Sequence, residues 1–274
     1  MSMQYDSIGL SYESVKRLPG GILERNNIRT VISPFLANPA TGTRARVLDL
    51  ACGTGYYSRL LLSWGAAHVV GVDISSTMIE AARASLSPSE AESLTFLVGD
   101  CSQPLVIDSG PFDVVLGSWL LNYAPSGAEM TRMFLHISAQ LKPGGHFVGL
   151  TPHPAADLDT FAALFDPASP SPLALHVRKY GVSVAYTAKT PDESGYATKI
   201  TVHVAPQDIQ FENFHLRRDV YEASARAGGM AGKLEWRGLK IPSADESASE
   251  YGVSPDFWEG YEVAPHLGML VVEK

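Results

Sequence analysis

Between residues 49 and 100, three carboxylates and two glycines have a spacing that suits a nucleoside ligand. Asp49 opens the run D-L-A-C-G-T-G, in which Gly53 and Gly55 can form a tight turn. Asp73 lies twenty residues after Gly53, and Asp100 follows a third apolar run. Small turn residues let the backbone approach a ligand closely, and a carboxylate can accept hydrogen bonds from both hydroxyls of a ribose. The spacing therefore indicates a nucleoside site.

The elements that position these residues can be predicted from apolar patterning. Residues 47–51 and 69–72 are short apolar runs, typical of buried parallel strands, and the second run ends at Asp73. Between them the pattern predicts a helix that Thr54 caps and that ends at Gly65. This is a strand–turn–helix–strand unit, which binds nucleoside cofactors at the carboxyl ends of its strands.

The side chains of the turn discriminate between nucleoside cofactors. A dinucleotide fingerprint requires glycine at three positions, which Ala51, Gly53 and Tyr56 occupy here. Tyrosine at the third position cannot allow close packing of helix and strand, so NAD(P) binding is disfavoured. The stretch D-x-A-C-G-T-G instead closely resembles motif I of class I S-adenosylmethionine methyltransferases.

That resemblance implies S-adenosyl-L-methionine as the cofactor and S-adenosyl-L-homocysteine as its product. It implies that Ile74 and Met78 sandwich the adenine, that Asp100 takes its exocyclic amine, and that the backbone of Cys101 meets a ring nitrogen. A carbonyl near Ser118 would take the amino group of the cofactor. In full, the expected cofactor contacts in and after the turn are Asp49, Ala51, Cys52, Gly53, Gly55, Asp73, Ile74, Met78, Asp100, Cys101 and Ser118.

The segment Y-D-S-I-G-L-S-Y resembles the N-terminal cover helix of small-molecule methyltransferases. The resemblance implies that Tyr5 and Tyr12 approach the cofactor, with Tyr12 also positioning the reacting groups. A second helix is predicted over residues 23–36, after a break at Pro19-Gly20-Gly21. Arg25, in that helix, is a weaker candidate for the carboxylate of the cofactor.

The remaining pattern predicts an α/β fold, with a Rossmann-like, seven-stranded, mostly parallel sheet, helices on both faces and an antiparallel last strand. The further strands are expected at residues 94–98, 112–118, 146–150, 234–241 and 267–273. We expect four regions: an N-terminal helical cover (1–43), a cofactor-binding core (44–150), a substrate lid (151–216), and a C-terminal helix and strands that complete the core (217–274). The acidic segment 243–250 is expected to be solvated.

The lid and the end of the fourth strand are expected to form the substrate pocket. Alternating stretches over residues 180–189 and 196–204 flank the turn P-D-E-S-G and predict an antiparallel hairpin. The predicted pocket residues are Trp119, Tyr123, Phe211 and Phe214. His153, just after the fifth strand, is the best candidate for a general base, and His176, His203 and His215 are weaker ones.

Charge and composition exclude several partners. The net charge is −8, and no basic block is longer than two residues, which argues against nucleic acid because phosphate binding needs clustered positive charge. The two cysteines have no partners at metal-ligand spacing, so no metal site is expected. The absence of a signal-like N-terminus and of a long apolar run predicts a cytoplasmic protein without membrane contact. We expect a monomer.

The resemblance to class I methyltransferases implies an enzyme that transfers a methyl group from S-adenosylmethionine, and the charge favours a small molecule as the acceptor. The local motifs look most similar to fungal secondary-metabolite methyltransferases, in particular to the gliotoxin-type enzymes that S-methylate reduced dithiols of diketopiperazines. Small-molecule N- or O-methylation is an alternative. A non-catalytic cofactor-binding regulatory protein and aminopropyl transfer on the same fold are alternatives of other classes.

Overall fold

The computed structural model describes residues 9–38, 41–166 and 179–274, with side chains described from residue 13 onward. The strands are β1 Arg46–Leu50, β2 His68–Asp73, β3 Leu94–Val98, β4 Phe112–Ser118, β5 Leu141–Pro152, β6 Val182–Lys189, β7 Gly195–Val202, β8 Ile209–Leu216, β9 Leu234–Arg237 and β10 Leu267–Glu273. The α-helices are α1 Pro19–Leu36, α2 Tyr56–Ser63, α3 Ser76–Ala84, α4 Gly127–Gln140, α5 Leu158–Ala163, α6 Arg218–Ala227 and α7 Ala244–Ser249. Short 3₁₀ helices occur at Gly9–Arg17, Leu121–Tyr123 and Tyr261–Val263.

A seven-stranded sheet has the order β3-β2-β1-β4-β5-β10-β9, and β10 runs antiparallel to both of its neighbours. The first five strands in this order are mutually parallel, so their carboxyl ends meet at one edge. The order reverses between β1 and β4, which is the position where open sheets of this kind bind ligands. The predicted fold, including the antiparallel last strand, is confirmed.

Apolar helix faces cover both sides of this sheet. α4 and α6 pack on one face, where Phe134, Phe147 and Tyr221 are fully buried. α1, α2 and α3 pack on the other, around Ile28, Leu61 and their neighbours. Burial on both faces explains why the parallel strands appear as continuous apolar runs in the sequence.

β6, β7 and β8 form a separate antiparallel sheet within the region expected as the lid. Residues 190–194 connect β6 to β7 and contain the first four residues of the predicted turn, whose last residue, Gly195, begins β7. Alternate residues of each strand line one cavity together with Trp119, so one face of this sheet is directed at the end of β4.

Several local expectations were wrong. Thr54 does not cap α2, because Gly55 occupies the N-cap position with φ +80° and no side-chain cap bond forms. α1 begins at Pro19 rather than at residue 23. Pro19-Gly20-Gly21 do separate it from the preceding 3₁₀ helix, but they do so as its first turn, a position that suits proline. A Cβ at Gly21 would lie 2.5 Å from the Val15 carbonyl oxygen, so glycine permits this close approach.

The sheet also differs in two boundaries. β5 begins at Leu141 rather than at residue 146, because Leu141 already pairs with Phe112 and a bulge over residues 142–145 precedes the pair Val114 and His146. β9 ends at Arg237, before the expected residue 241. The acidic segment is mostly exposed, but it folds as α7, which begins with a capping box between Ser243 and Glu246.

Candidate active site

The turn after β1 is shaped by left-handed backbone. Ala51, Gly53 and Gly55 have φ of 59°, 54° and 80°. The Cys52 amide donates to the Val72 carbonyl oxygen at 3.0 Å, which ties the turn to the end of β2. A Cβ built on Gly53 would meet no atom within 4 Å. The turn is therefore open on the side where a ligand would approach.

Asp73 links this turn to the next helix. Its Oδ2 accepts a hydrogen bond from the Gly53 amide at 2.8 Å, and its Oδ1 accepts one from the Ser75 amide at 2.9 Å. Ser75 in turn caps α3, because its hydroxyl accepts from the Met78 amide at 3.2 Å. An ionised carboxylate has about four lone-pair positions, so Asp73 can accept several hydrogen bonds at once.

Asp73 and Asp100 line one cavity of about 290 Å³ at the carboxyl ends of the parallel strands, which we call the cofactor cavity. Asp100 is oriented by Ser102, whose amide and hydroxyl donate to Oδ1 at 2.9 and 2.7 Å. Ile74 is 41 % exposed at the mouth, as an adenine platform would have to be. Ala51, Cys101, Leu120, Tyr123, Met133 and part of the lid complete the lining. Two carboxylates beside an open glycine turn fit a ribose, a purine and an amino-acid tail.

Asp49 lies beneath this turn, 1 % exposed, and accepts a hydrogen bond from the Ser58 hydroxyl at 2.6 Å. Burial raises its pKa to about 7, with Asp73 also raising it and Ser58 and Lys16 lowering it. Lys16 is itself buried, and its ammonium group lies 2.9 Å from Oε2 of Glu24 and 4.8 Å from the ring centroid of Tyr57.

Lys16 is the functional candidate that the sequence did not reveal. Its position among apolar residues in the N-terminal segment matches a core pattern, and only the fold brings it near Asp49. Arg25, the weaker sequence-based candidate for binding the cofactor carboxylate, lies nearer the surface. Its guanidinium nitrogen is 3.7 Å from Oε1 of Glu250, and its Nε donates to Oδ1 of Asn26. A buried ammonium group beside the cofactor turn suits the carboxylate of an amino-acid tail better than an exposed guanidinium group does.

The other predicted cofactor residues have varied positions. Cys52 is buried, and its thiol donates to the Gly53 carbonyl oxygen at 3.6 Å. Met78 is 2 % exposed and lines neither this cavity nor the next one within the described ranges. Ser118 ends β4, and its buried hydroxyl has no hydrogen-bond partner among the residues that the structure describes. Tyr5 lies outside the described residues, and so does the side chain of Tyr12, whose backbone is in the first 3₁₀ helix.

A second cavity, of about 80 Å³, lies between the lid sheet and the end of β4, and we call it the acceptor cavity. Of the four predicted pocket residues, Trp119, Tyr123 and Phe211 line this cavity, and Phe214 lines the cofactor cavity. Positions 211 and 214 are an odd number apart on β8, so their side chains point to opposite faces. The two cavities share Tyr123, Thr198 and Asn213.

The ionisable groups of the acceptor cavity are held neutral or paired. Burial lowers the pKa of His215 to about 4 and the pKa of His266 to about 4. Glu24 is paired with Lys16. Most of the other lining side chains are aliphatic or aromatic: Val15, Trp119, Tyr123, Pro152, Phe161, Phe165, Val182, Val184, Ile200, Val202 and Phe211. The cavity therefore suits a neutral, largely apolar molecule.

The structure brings His215, and not His153, into this cavity. The ring of His153 stacks on Phe161 at 5.0 Å between centroids, and it is not among the described lining residues. Burial lowers the pKa of His153. Nε2 of His215 donates to the His153 carbonyl oxygen at 2.7 Å, because a carbonyl can only accept. His176 lies outside the described residues, and His203 lies on the lid between Ser183 and Asp208.

No membrane-crossing helix and no metal cluster occur in the part of the chain that the structure describes. None of its helices combines the length and the apolar composition that crossing a bilayer requires. Across the same ranges, no group of three or more His, Cys, Asp or Glu side chains could hold a metal ion.

This fold and site define a Rossmann-like methyltransferase architecture, and comparisons with known proteins agree. Residues 47–145 match the family described as Methyltransferase domain. The chain is similar in structure to an S-adenosylmethionine-dependent methyltransferase from Mesorhizobium loti, with a TM-score of 0.55, 20 % identity and coverage of 90 % of this chain and 96 % of the other. It is also similar to the CcbJ methyltransferase from Streptomyces caelestis, with a TM-score of 0.56, 16 % identity and coverage of 90 % and 87 %.

Sequence relatives are methyltransferases of several kinds. The chain is 35 % identical over 115 residues to demethylmenaquinone methyltransferase from Lactococcus lactis, covering 41 % of this chain and 44 % of the relative. It is 31 % identical over 150 residues to the mRNA cap guanine-N(7) methyltransferase of Candida glabrata, covering 50 % and 36 %. An arsenite methyltransferase from Halobacterium salinarum is 30 % identical over 169 residues, with 61 % and 40 % covered. The chain thus spans less than half the length of these relatives.

The family match and the relatives support an enzyme, and with the structural neighbours they imply S-adenosylmethionine as its cofactor. The names of the relatives span a quinone precursor, an RNA cap and an inorganic acceptor.

Proposed function

We propose that this protein is an S-adenosylmethionine-dependent methyltransferase that acts on a neutral, largely apolar small molecule. One observation carries the proposal: the cofactor cavity and the acceptor cavity share Tyr123, Thr198 and Asn213. A cofactor gripped by Asp73 and Asp100 would direct its reactive end toward this shared wall.

The cofactor would supply a methyl group on a positively charged sulfur, ready for in-line displacement. The chain's own task is then alignment, which in well-oriented reactions can lower the barrier by about 7–11 kcal/mol. Tyr123 stands where donor and acceptor meet, and aromatic faces such as that of Trp119 attract a cation. The sheet β6–β8 covers the site as a lid, which keeps water from the reacting groups.

Sulfur is the accepting atom that the cavity favours. His215 and His266 line the acceptor cavity, but their pKa values, lowered to about 4 by burial, make both of them weak bases. A thiol has a pKa of about 8.5, so it is partly ionised near neutrality and needs little assistance. An aliphatic hydroxyl or a protonated amine would need a stronger base. His153, the base expected from sequence, would have to move to reach the cavity.

The finer assignment follows the sequence resemblance. We propose a reduced dithiol of the gliotoxin-type diketopiperazine class as the acceptor, within secondary metabolism, and a monomeric enzyme acting in the cytoplasm. The negative net charge and the largely apolar lining of the acceptor cavity argue against an RNA acceptor of the kind that cap methyltransferases use.

The cofactor assignment is tested by calorimetry with S-adenosylmethionine and S-adenosylhomocysteine. Both should bind to the wild type, and Asp73→Ala should lose most of the affinity. Asp108→Ala removes an exposed carboxylate outside both cavities and should bind normally. Melting curves of each variant separate loss of the site from loss of the fold. Failure of the wild type to bind either molecule would end the proposal.

The acceptor assignment is tested by mass spectrometry of products one methylene unit heavier than the substrate. Reduced dithiols, phenols and amines of matched size are offered in parallel. Methylation of dithiols supports the sulfur assignment, whereas methylation of phenols or amines alone replaces it with an O- or N-methyltransferase. Cofactor binding without turnover on the whole panel would favour a regulatory protein.

A further inference from the structure

Asn122 is an unusual residue in the wall of the acceptor cavity. It lies in the 3₁₀ helix that follows β4, beside Tyr123, and is 1 % exposed. Both polar atoms of its carboxamide, Nδ2 and Oδ1, are buried and have no hydrogen-bond partner among the described residues.

Several other polar side chains of this wall are already paired. Thr198 donates to Asn213 across β7 and β8, and Tyr186 hydrogen-bonds with His215 at 2.8 Å. Glu24 is bonded to Lys16, and His266 to Tyr261. Among the described lining residues, Asn122 stands out because its donor and its acceptor are both buried without a partner.

An unpaired buried amide is costly to keep, because its donor and its acceptor have both lost hydrogen bonds to water. A native fold retains such a group where a ligand or solvent completes it. Asn122 lines the acceptor cavity and directly precedes Tyr123, a residue that both cavities share. This position favours the methyl acceptor as the ligand that completes it.

We propose that Asn122 recognises an amide edge on the acceptor, that is, a C=O and an N–H side by side as in a lactam or a primary amide. Such an edge accepts from Nδ2 and donates to Oδ1 at once. A carboxylate can only accept and an ammonium group can only donate, so either would leave one atom of Asn122 unpaired. This inference rests on the proposed function, since it defines which neutral molecules occupy the acceptor cavity.

The test compares two probes that differ only in this edge. Binding of 4-mercaptobenzamide and of its N,N-dimethyl analogue is measured by calorimetry on enzyme loaded with S-adenosylhomocysteine. The wild type should bind the primary amide about 10-fold or more tightly than the dimethyl amide, because the latter has no N–H to donate. Asn122→Leu, which is similar in size, should bind both probes with equal affinity.

Three readouts keep the outcomes distinct. Asn122→Leu should melt at or above the wild-type temperature, since it removes two unpaired buried polar atoms, and its affinity for S-adenosylhomocysteine should be unchanged. A wild type that binds the two probes equally, or neither of them, overturns the inference without any variant. Retention of the preference in Asn122→Leu also overturns it. Failure of S-adenosylhomocysteine to bind to the wild type would instead contradict the proposed function.

Discussion

The hydroxyl of Tyr186 lies 2.8 Å from Nδ1 of His215, so that a pair formed between β6 and β8 spans the intervening strand β7. Because Nε2 of His215 donates to the His153 carbonyl oxygen, Nδ1 must accept and the tyrosine must donate. This pair holds the lid sheet in register over the acceptor cavity and fixes which polar atoms face it.

Replacing Tyr186 by phenylalanine should destabilise the protein, because Nδ1 of His215 would be left buried without a donor. We expect the free energy of unfolding to fall by about 1–3 kcal/mol, with the affinity for S-adenosylmethionine unchanged. Denaturant titration and calorimetry measure the two quantities. Tyr196→Phe is the matched control on the same sheet, since its hydroxyl contacts Asp159 at the exposed surface. Equal losses in both variants would contradict the importance of the buried pair.

Asp49 should make the free energy of unfolding fall as the pH rises from about 4 to about 7. Its folded-state pKa of about 7 lies above the ordinary value of 3.8, so the folded chain holds the proton more tightly than the unfolded chain. The contribution of Asp49 to stability is therefore present below about pH 4 and is lost as the pH rises toward about 7. Asp49→Asn should raise the free energy of unfolding at pH 8 by about 1–3 kcal/mol and have little effect at pH 4.

The same variant should bind S-adenosylmethionine at least about 10-fold more weakly, since it exchanges a charged group at the cofactor turn for a neutral one. Urea titrations at pH 4 and pH 8, with calorimetry at pH 8, provide the measurements. Asp108→Asn, at an exposed position, should change neither quantity appreciably. A destabilised Asp49→Asn at pH 8 would contradict this account.

The two turn glycines should respond differently to alanine. A Cβ at Gly55 would lie 2.3 Å from Phe96, so Gly55→Ala combines a clash with a strained φ and should cost about 2–5 kcal/mol of stability. Gly53→Ala meets no atom within 4 Å and should cost only the strain of its φ, about 1–2 kcal/mol. Its added methyl group occupies the ligand side of the turn, so cofactor affinity should fall while the fold persists. Melting curves and calorimetry on both variants distinguish these outcomes.

The buried pair of Lys16 and Glu24 should show strong coupling. Lys16→Met leaves the Glu24 carboxylate buried without its cation, which should cost about 3–5 kcal/mol of stability. The double variant Lys16→Met with Glu24→Gln removes both charges and should recover most of that loss. A double-mutant cycle by denaturant titration measures the coupling, and additive losses would show that the two side chains act independently.

The sequence was informative where structure depends on local pattern. The apolar runs of β1 to β4 can be located from the sequence to within about a residue, because these strands are mostly apolar over their length. The acids at the ends of β2 and β3 could be brought together by topology alone, since parallel strands end at one edge. Ser243 and Glu246 have the spacing of a capping box, so the sequence also contains the signal for the start of α7, although the acidic composition of the segment is typical of a solvated loop.

What could not be predicted depends on contacts between distant segments. His215 and Asn122 face one cavity only because β8 packs over the end of β4, a register that no local spacing encodes. Lys16 has the spacing of a core residue, and its partner Glu24 becomes visible only when the N-terminal segment folds back on α1. The position of His153 after β5 predicts a general base, but its ring stacks on Phe161 and is not among the described residues that line the acceptor cavity.

The two amide bonds that Asp73 accepts have a consequence for affinity. They join the bend after β1 to the first turn of α3, so both segments are held in place before any ligand arrives. Ligand binding then costs little conformational entropy for ordering these loops, so more of the interaction energy contributes to the measured affinity. The Asp73 carboxylate thus connects the two halves of the nucleoside site and fixes their relative position. The shape of the site is therefore already set in the free protein.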